Sequence, residues 1–462
     1  MNCTAQLVAY ILRSCLEDIP ADVHHEGKRA LLNIVGCALG GAEHPAMDIA
    51  IAALGPFSGP ATCNVLGRTE RFDPLFASLL NGISSHVHDY DDTLPKNYIH
   101  ASSPVASALF AYASANKVSG PDFLHAFILG FEVVSRIGNA TYPAHYEAGW
   151  HSTGSIGVFG AAVAIGKLLG LDAQRMTYAI GLAATQAAGL REMFGSMGKG
   201  FHPGRSAQSG YMAALLAEKG FTSGRLPLEG PRGFAAVTAA RFDLDKVVDG
   251  LGMEFDLRAN TYKPFPCGIV IHPTIDACMQ MRDQHGLNAE QIESVELRVA
   301  PLVKDLCNKK VITAGLEGKF SIYHAAAIGL GRGKGGLAEF SDEAVNDPPL
   351  RRLREITEAI GDPVIGEDSV AVAVVLKDGR TLRKTLTGSL GNLQRPLTDA
   401  QLEAKFRDQG TVLPPAQREQ AIATCWEIES LDDMRELTGR CIPLPKQQPG
   451  IGVTGRNAGA GG

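Results

Sequence analysis

No two of the nine cysteines form a C-x-x-C pair; they stand apart at Cys3, Cys15, Cys37, Cys63, Cys267, Cys278, Cys307, Cys425 and Cys441. Iron–sulfur clusters and zinc ribbons need clustered thiolates, so both readings fail on spacing. An odd number of scattered thiols fits a reducing cytoplasm. Long apolar runs are missing as well. The most apolar stretch, 155–171, is cut by Lys167 and carries four glycines, so it reads as a buried helix and not as a membrane span. The start, MNCTAQLVAYILRSCLEDIP, has no basic segment and no small-residue cleavage site. It reads as an amphipathic helix running into Pro20, not as a signal peptide. Excess positive charge is absent too: the net charge is -6, which disfavours nucleic acid and anionic membrane as partners. An anionic ligand would therefore have to meet a local cluster of Lys, Arg and His. We find no internal repeat.

What is present is an ordinary globular mix, 45% hydrophobic and 20% charged, in 462 residues, a length that calls for two domains. From residue 1 to about 260 the periodicity is helical. Ser119-Gly120-Pro121-Asp122 is a helix start, followed at helical spacing by Phe123, Leu124, Phe127, Ile128, Phe131, Val134 and Ile137. Further helices are predicted from about Asp172, and from Ser206 to Lys219 with Gly220 as the stop.

The period changes after Lys263. Val295, Leu297 and Val299 alternate as in a half-buried strand, and 369–387 reads as two strands joined at Asp378-Gly379. Helical patterns lie around 273–282, 321–330 and 350–360, and helical character returns at 398–407. The fold expected is mainly α: a helical domain (1–264 plus 396–442) with an inserted smaller α+β domain (265–395). The Gly- and Pro-rich end, 443–462, is expected to be a disordered tail.

Four clusters carry candidate chemistry, each with a plainer explanation beside it. The run HVHDYDDTLPKNYIH contains His86, His88, Asp89, Asp91, Asp92, Thr93 and His100. Carboxylates beside histidines suit acid–base work, and H-x-H with aspartates is also a metal-ligand pattern. A capped helix end in water accounts for it equally well. His151 in WHSTG precedes an apolar helix, where free N–H groups favour an anion, although an ordinary N-cap also fits. Arg191, Lys199, His202 and Arg205 fall in a glycine-rich stretch read as a loop between helices. Glycines permit close backbone approach there, and the cations supply charge for a carboxylate. Lys263, in YKPFPCG, sits at the expected domain boundary, where clefts form. GLGRGKGG (329–336) lacks P-loop spacing and reads as a surface loop.

In this order and at these intervals, the clusters resemble the MmgE/PrpD family, which includes 2-methylcitrate dehydratase, cis-aconitate decarboxylase and iminodisuccinate epimerase. The matching segments are D-x-D-D-T…H from Asp89 to His100, the stretch from His151 to Leu171, and the K-x-x-H-x-G segment from Lys199. LEGPRGF, KPFPCG, KFS and PLT…LE-x-KF add to them. The resemblance implies a homodimer with its active site between the domains, working without metal or organic cofactor. Carried over by position, it implies Asp89, Thr93, His100, His151, Lys199 and Lys263 as catalytic candidates. His202, Arg205 and Arg191 stand beside them as substrate-binding candidates. The family's decarboxylases look to carry a His at the position of Gly268, and a Thr-to-His interval one residue shorter than Thr93 to His100.

The mechanism expected is removal of a proton beside a carboxylate of a small polycarboxylic acid, with cations holding the carboxylates. Dehydration like that of 2-methylcitrate leads, ahead of epimerisation through the same intermediate and of decarboxylation. A metal-dependent hydrolase and a noncatalytic binding protein are the readings from other classes.

Overall fold

The computed structural model describes residues 2–444; the expected tail at 445–462 lies outside the described residues. Helix starts follow local chemistry. Ser119 Oγ accepts from the Asp122 amide at the head of helix Gly120–Thr141, and the Asp172 carboxylate does the same for Arg175 ahead of Ala173–Ala184. Phe123, Phe127 and Phe131, spaced one helical turn apart, are fully buried, each contributing roughly 1.5–3 kcal/mol by leaving water.

Helices Pro74–His86, Ser102–Ala115, Ser152–Leu168 and Met197–Glu218 pack around one another. Their closeness depends on small residues. A Cβ on Gly82 would lie 2.3 Å from the Gly204 Cα, and one on Gly204 would meet the Leu79 carbonyl oxygen at 2.3 Å. Nothing larger fits. This corrects the expectation of a glycine-rich loop: 197–205 forms the first turns of helix Met197–Glu218, with Pro203 inside it. The glycines serve helix contact, not a backbone cradle.

The smaller part is built on a four-stranded sheet in the order Thr357–Gly361, Ile292–Val299, Ser369–Leu376, Thr381–Thr387. The first pair is parallel and the others antiparallel. Val295, Leu297 and Val299 pack inward, as do Val370, Val372, Val374 and Leu376, against helices His272–His285 and Ile322–Arg332. The hairpin turns at Asp378-Gly379, where Gly379 takes φ 88°. The helix expected over 350–360 ends at Glu355, and Thr357–Gly361 is a strand. Pairing with Val295–Val299 outweighs a helical pattern that continues past it only weakly. The segment 329–336 is half helix: a Cβ on Gly329 would press on the Cys278 Cβ at 2.6 Å, and the helix ends at Gly333, φ 63°.

The chain then returns. Helix Asp399–Gln409 lays Leu402 and Phe406 on helix Ala21–Gly41. Buried hydrophobics form two clusters, one drawn from the helices and this return, the other from Phe265 to Leu376. All nine cysteines are free thiols, and no described helix is long and apolar enough to cross a membrane. The fold is mainly α with a smaller α+β part.

Candidate active site

Helix Pro74–His86, capped by the Asp73 carboxylate, ends by delivering His86 to the interior. The chain then turns at Asp89, φ 52°, a left-handed conformation that Asp tolerates better than most residues. Three lysines from distant segments hold this turn by its carbonyl oxygens. Lys319 Nζ donates to His88 O at 2.9 Å, Lys263 to Asp89 O at 3.1 Å, and Lys405 to Tyr90 O at 2.6 Å. Asp92–Thr93 next pairs antiparallel with Thr261–Tyr262. That short ladder sets the following residue, Lys263, beside Asp89.

Asp89 is the centre of the cluster. Its Oδ1 accepts from Lys199 Nζ at 2.8 Å and from Lys263 Nζ at 2.7 Å, while Oδ2 has no hydrogen-bond partner in the protein. Burial would raise its pKa, yet the two ammonium groups and the nearby imidazoles hold it well below the usual carboxylate range. Burial lowers the Lys199 pKa, Asp89 partly opposing it and Lys263 adding to it.

The histidines are fixed by their partners. His100 Nδ1 lies 2.7 Å from the Asp92 carbonyl oxygen, which can only accept, so Nδ1 carries the hydrogen. Its Nε2 is therefore bare, 3.8 Å from Asp89 Oδ1. Thr93 Oγ1 lies 3.1 Å from the same Nδ1. His151, the N-cap residue of helix Ser152–Leu168, shares a 2.8 Å Nδ1–Nδ1 hydrogen bond with His202 and leaves Nε2 unpartnered. Burial, reinforced by the surrounding cations, holds both His100 and His151 well below the usual imidazole pKa, hence neutral. Behind the turn, Asp92 is pushed up to about 7 by burial and by Asp91, and accepts from Ser102 Oγ at 2.5 Å and Asn260 Nδ2 at 2.7 Å.

These groups open onto one cleft. Asp89, Thr93, His100, His151, Lys199 and Lys263 form its polar side. Phe194, Ile269, Val270, Leu306 and Phe320 form an apolar wall opposite, with Tyr98 and Tyr146 also at the lining. All six residues expected to be catalytic thus come together, whereas the three expected to bind substrate do not line the cleft. His202 reaches it only through His151. Arg205 is exposed, its guanidinium on Gln208 Oε1, because the helical path of 197–205 turns it outward. Arg191 stacks on Tyr146 and binds Asp305 and the Tyr146 carbonyl. Sequence reasoning carried forward neither His86 nor Asp91, although both stood in the first cluster. The holding role of Lys319 and Lys405 had no signal beyond family-like segments.

Donor atoms of His86, Asp89, Asp91 and His100 lie within 4.8 Å of one another, close enough to invite a metal reading. The chemistry opposes it. Lys199 and Lys263 already bind Asp89, Asp91 is taken up by His86, and a divalent cation would sit against two ammonium groups. We assign no metal ligand here.

The chain has relatives among known proteins. The chain is 26% identical to a cis-aconitate decarboxylase of Aspergillus terreus over 94% of each chain. It is 27% identical to the cis-aconitate decarboxylase of Homo sapiens, over 90% of this chain and 89% of that one. A cis-aconitate decarboxylase-like protein of Aspergillus oryzae is 26% identical over 94% of this chain and 96% of its own. Residues 5–246 match the MmgE/PrpD N-terminal domain and 265–428 the MmgE/PrpD C-terminal domain, the point of change falling just past Lys263. With both domains matched in order across most of its length, the chain belongs to the MmgE/PrpD family of enzymes.

Proposed function

We propose that the protein is a cofactor-independent lyase that forms a carbanion beside a carboxylate of a small di- or tricarboxylic acid. One observation carries this reading: two buried ammonium groups, Lys199 and Lys263, converge on a single carboxylate at the cleft floor. Both sit in an apolar setting, where an incoming anion meets ammonium groups already fixed in place. Charge left on carbon spreads onto the adjacent carboxylate, and preorganised cations stabilise it there. Removing one such donor typically costs about 10²–10³ in rate. Where a C–H proton must be removed, as in dehydration or epimerisation, His100 Nε2, bare and neutral, is the base; His151 Nε2 is a second exchange point.

Decarboxylation of a cis-aconitate-like acid now comes first. The relatives are named for it, and the apolar wall of Phe194, Ile269, Val270 and Phe320 suits a carboxylate departing as neutral carbon dioxide. Dehydration of a 2-methylcitrate-like hydroxy acid stands second. It is favoured by the two separate imidazoles, since a hydro-lyase needs both a base for the C–H bond and an acid for the hydroxyl. Epimerisation of an iminodisuccinate-like acid shares the intermediate. Proton NMR in deuterated water, with carbon dioxide trapping, separates them across a panel of cis-aconitate, 2-methylcitrate, citrate and iminodisuccinate. Trapped gas marks a decarboxylase, a new alkene without gas a dehydratase, and deuterium exchange alone an epimerase. Inertness toward all four would overturn the substrate class.

A further inference from the structure

His86 and Asp91 do not line the cleft, yet both are completely buried and ionisable, and His86 contacts Lys199. Their geometry is closely determined. His86 Nδ1 lies 2.9 and 2.8 Å from the two Asp91 carboxylate oxygens, so Nδ1 carries the hydrogen. Nε2 is then a bare acceptor, and Lys199 Nζ donates to it at 2.8 Å. A second Lys199 hydrogen goes to Asp89 Oδ1 at 2.8 Å. An ammonium has three hydrogens, and the third has no acceptor among the described residues. It is left at the cleft, between the rings of Phe194 and Phe320, 5.3 and 5.8 Å from Nζ.

We propose that Asp91 and His86 are positioning residues that make Lys199 the proton donor of the reaction. This rests on the carbanion chemistry proposed above. In either protonation state of Lys199 two N–H bonds remain directed at His86 and Asp89. Only the third position changes, from an N–H to a lone pair, so the proton transfer needs no rearrangement of buried partners. In the decarboxylase case the C–C bond to the departing carboxylate breaks, carbon dioxide leaves, and its electron pair stays on the substrate carbon. The Lys199 N–H bond then breaks as the new C–H bond forms. The neutral amine takes a proton from water when product leaves. The other ionisable groups around Nζ are Asp89, Asp91, His100, His151, His202, Lys263, Cys307 and Lys319. None of them accepts the third hydrogen.

The asymmetry of His86 is what the proposal needs. Asp91→Asn replaces the carboxylate with an amide; with its Nδ2 toward Nδ1 it imposes the opposite tautomer and turns an Nε2–H against the Lys199 ammonium. Where an Asp→Asn change reverses a catalytic imidazole in this way, turnover falls by about 10⁴. His100 is close to Asp91 as well, at 3.5 Å, but its tautomer is held independently by the Asp92 carbonyl.

The test combines ¹⁵N-histidine NMR with kinetics on the full chain. The wild-type spectrum should contain one buried Nδ1–H, bare-Nε2 histidine that disappears in His86→Gln. In Asp91→Asn the same signal should appear as the Nε2–H tautomer. With the substrate identified above, Asp91→Asn and His86→Leu should lose about 10³–10⁴ in kcat with KM changed little. His86→Gln, which keeps an acceptor oxygen toward Lys199, should recover most of the loss. The alkaline limb of kcat should move in Asp91→Asn. A wild-type kcat and pH profile in folded His86→Leu, or in Asp91→Asn with its tautomer reversed, would overturn the proposal. Should no polycarboxylate react while the tautomer flips as stated, the positioning device stands and the substrate reading alone falls.

Discussion

The helical part and the sheet part meet at one cleft but line it with opposite chemistry. Every charged group of the floor comes from the helical part or from the ladder that ends it: Asp89, Lys199 and Lys263, with His100 and His151 beside them. The sheet part brings Ile269, Val270, Leu306, Cys307 and Phe320, and a glycine at 268. One part thus holds the reactive charges in fixed register, and the other decides what shape of acid reaches them.

Breaking the helical contribution should have the largest effect. Lys263→Met keeps the length and apolar stem of the side chain but removes one ammonium from Asp89. We expect kcat/KM to fall by about 10²–10³ or more, in an enzyme that still unfolds cooperatively. A loss under about 10-fold would mean that Lys263 holds the turn through the Asp89 carbonyl and does little else. His100→Asn removes the bare Nε2 and should cost about 10²–10⁴ in kcat, with the acid limb of the pH profile lost along with it.

Changing the sheet side should alter preference more than power. A Cβ at Gly268 would meet Cys307 Sγ at 3.1 Å and the Lys319 carbonyl at 3.6 Å, so Gly268→Ala fits with a small adjustment and narrows the cleft. One methylene in a shaped pocket is worth about 10–200-fold in discrimination. The ratio of kcat/KM between the bulkiest and the smallest accepted acid should shift within that range, the smaller acid reacting nearly as before. Equal losses for both would mean that Gly268 serves the turnover step and not selection.

The same contrast runs through what could be read before the structure was known. The helical floor was legible because its residues cluster within short windows, as in 86–100 and 199–205, where residue type alone suggests chemistry. The sheet-side wall was not. Ile269, Leu306 and Phe320 are ordinary apolar residues far apart in sequence, and only the fold decides that they face a cleft and not a core. The hairpin at Asp378-Gly379 was evident from its turn residues, whereas the strand Thr357–Gly361 was missed because its pairing with Ile292–Val299 is a long-range contact. Arg191 and Arg205 were misplaced for a related reason. Reading 191–205 as a loop allows every cation to converge, but as a helix after Ser196 it sends Lys199 inward and Arg205 into water. Glycine that serves helix packing and glycine that serves a ligand look alike in sequence.

The smallest expected effect concerns stability, and it too divides between the parts. Burial lowers His88 to about 3 and His125, His145 and His202 to about 4 in the helical part, and His272 to about 3 and His324 to about 4 in the sheet part. Each of these titrates from 6.5 once exposed by unfolding. Between about 4 and 6.5 the unfolded chain therefore binds protons that the folded chain refuses. Stability is complete above pH 6.5 and declines as the pH falls through that window. A shift of one pKa unit corresponds to about 1.4 kcal/mol, so a few such groups produce a measurable drop between pH 7.5 and 5.5. Trp150 and Trp426 are the only tryptophans, and both lie outside the sheet part. Urea unfolding followed by their fluorescence reports the helical part, while far-UV circular dichroism reports both. His44, His86, His100 and His151 are lowered in the helical part as well, and they outnumber the groups there, such as Asp92 and Glu132, both raised to about 7, that oppose them. The fluorescence midpoint should therefore move further on acidification than the dichroism midpoint if the parts unfold separately. Coincident midpoints falling together would show the two parts unfolding as a single unit, coupled across the cleft by Lys319 of the sheet part, which donates to the His88 carbonyl. A profile flat from pH 7.5 to 5.5 would mean that these imidazoles are charged in the folded protein, contrary to the neutral state argued for His100 and His151.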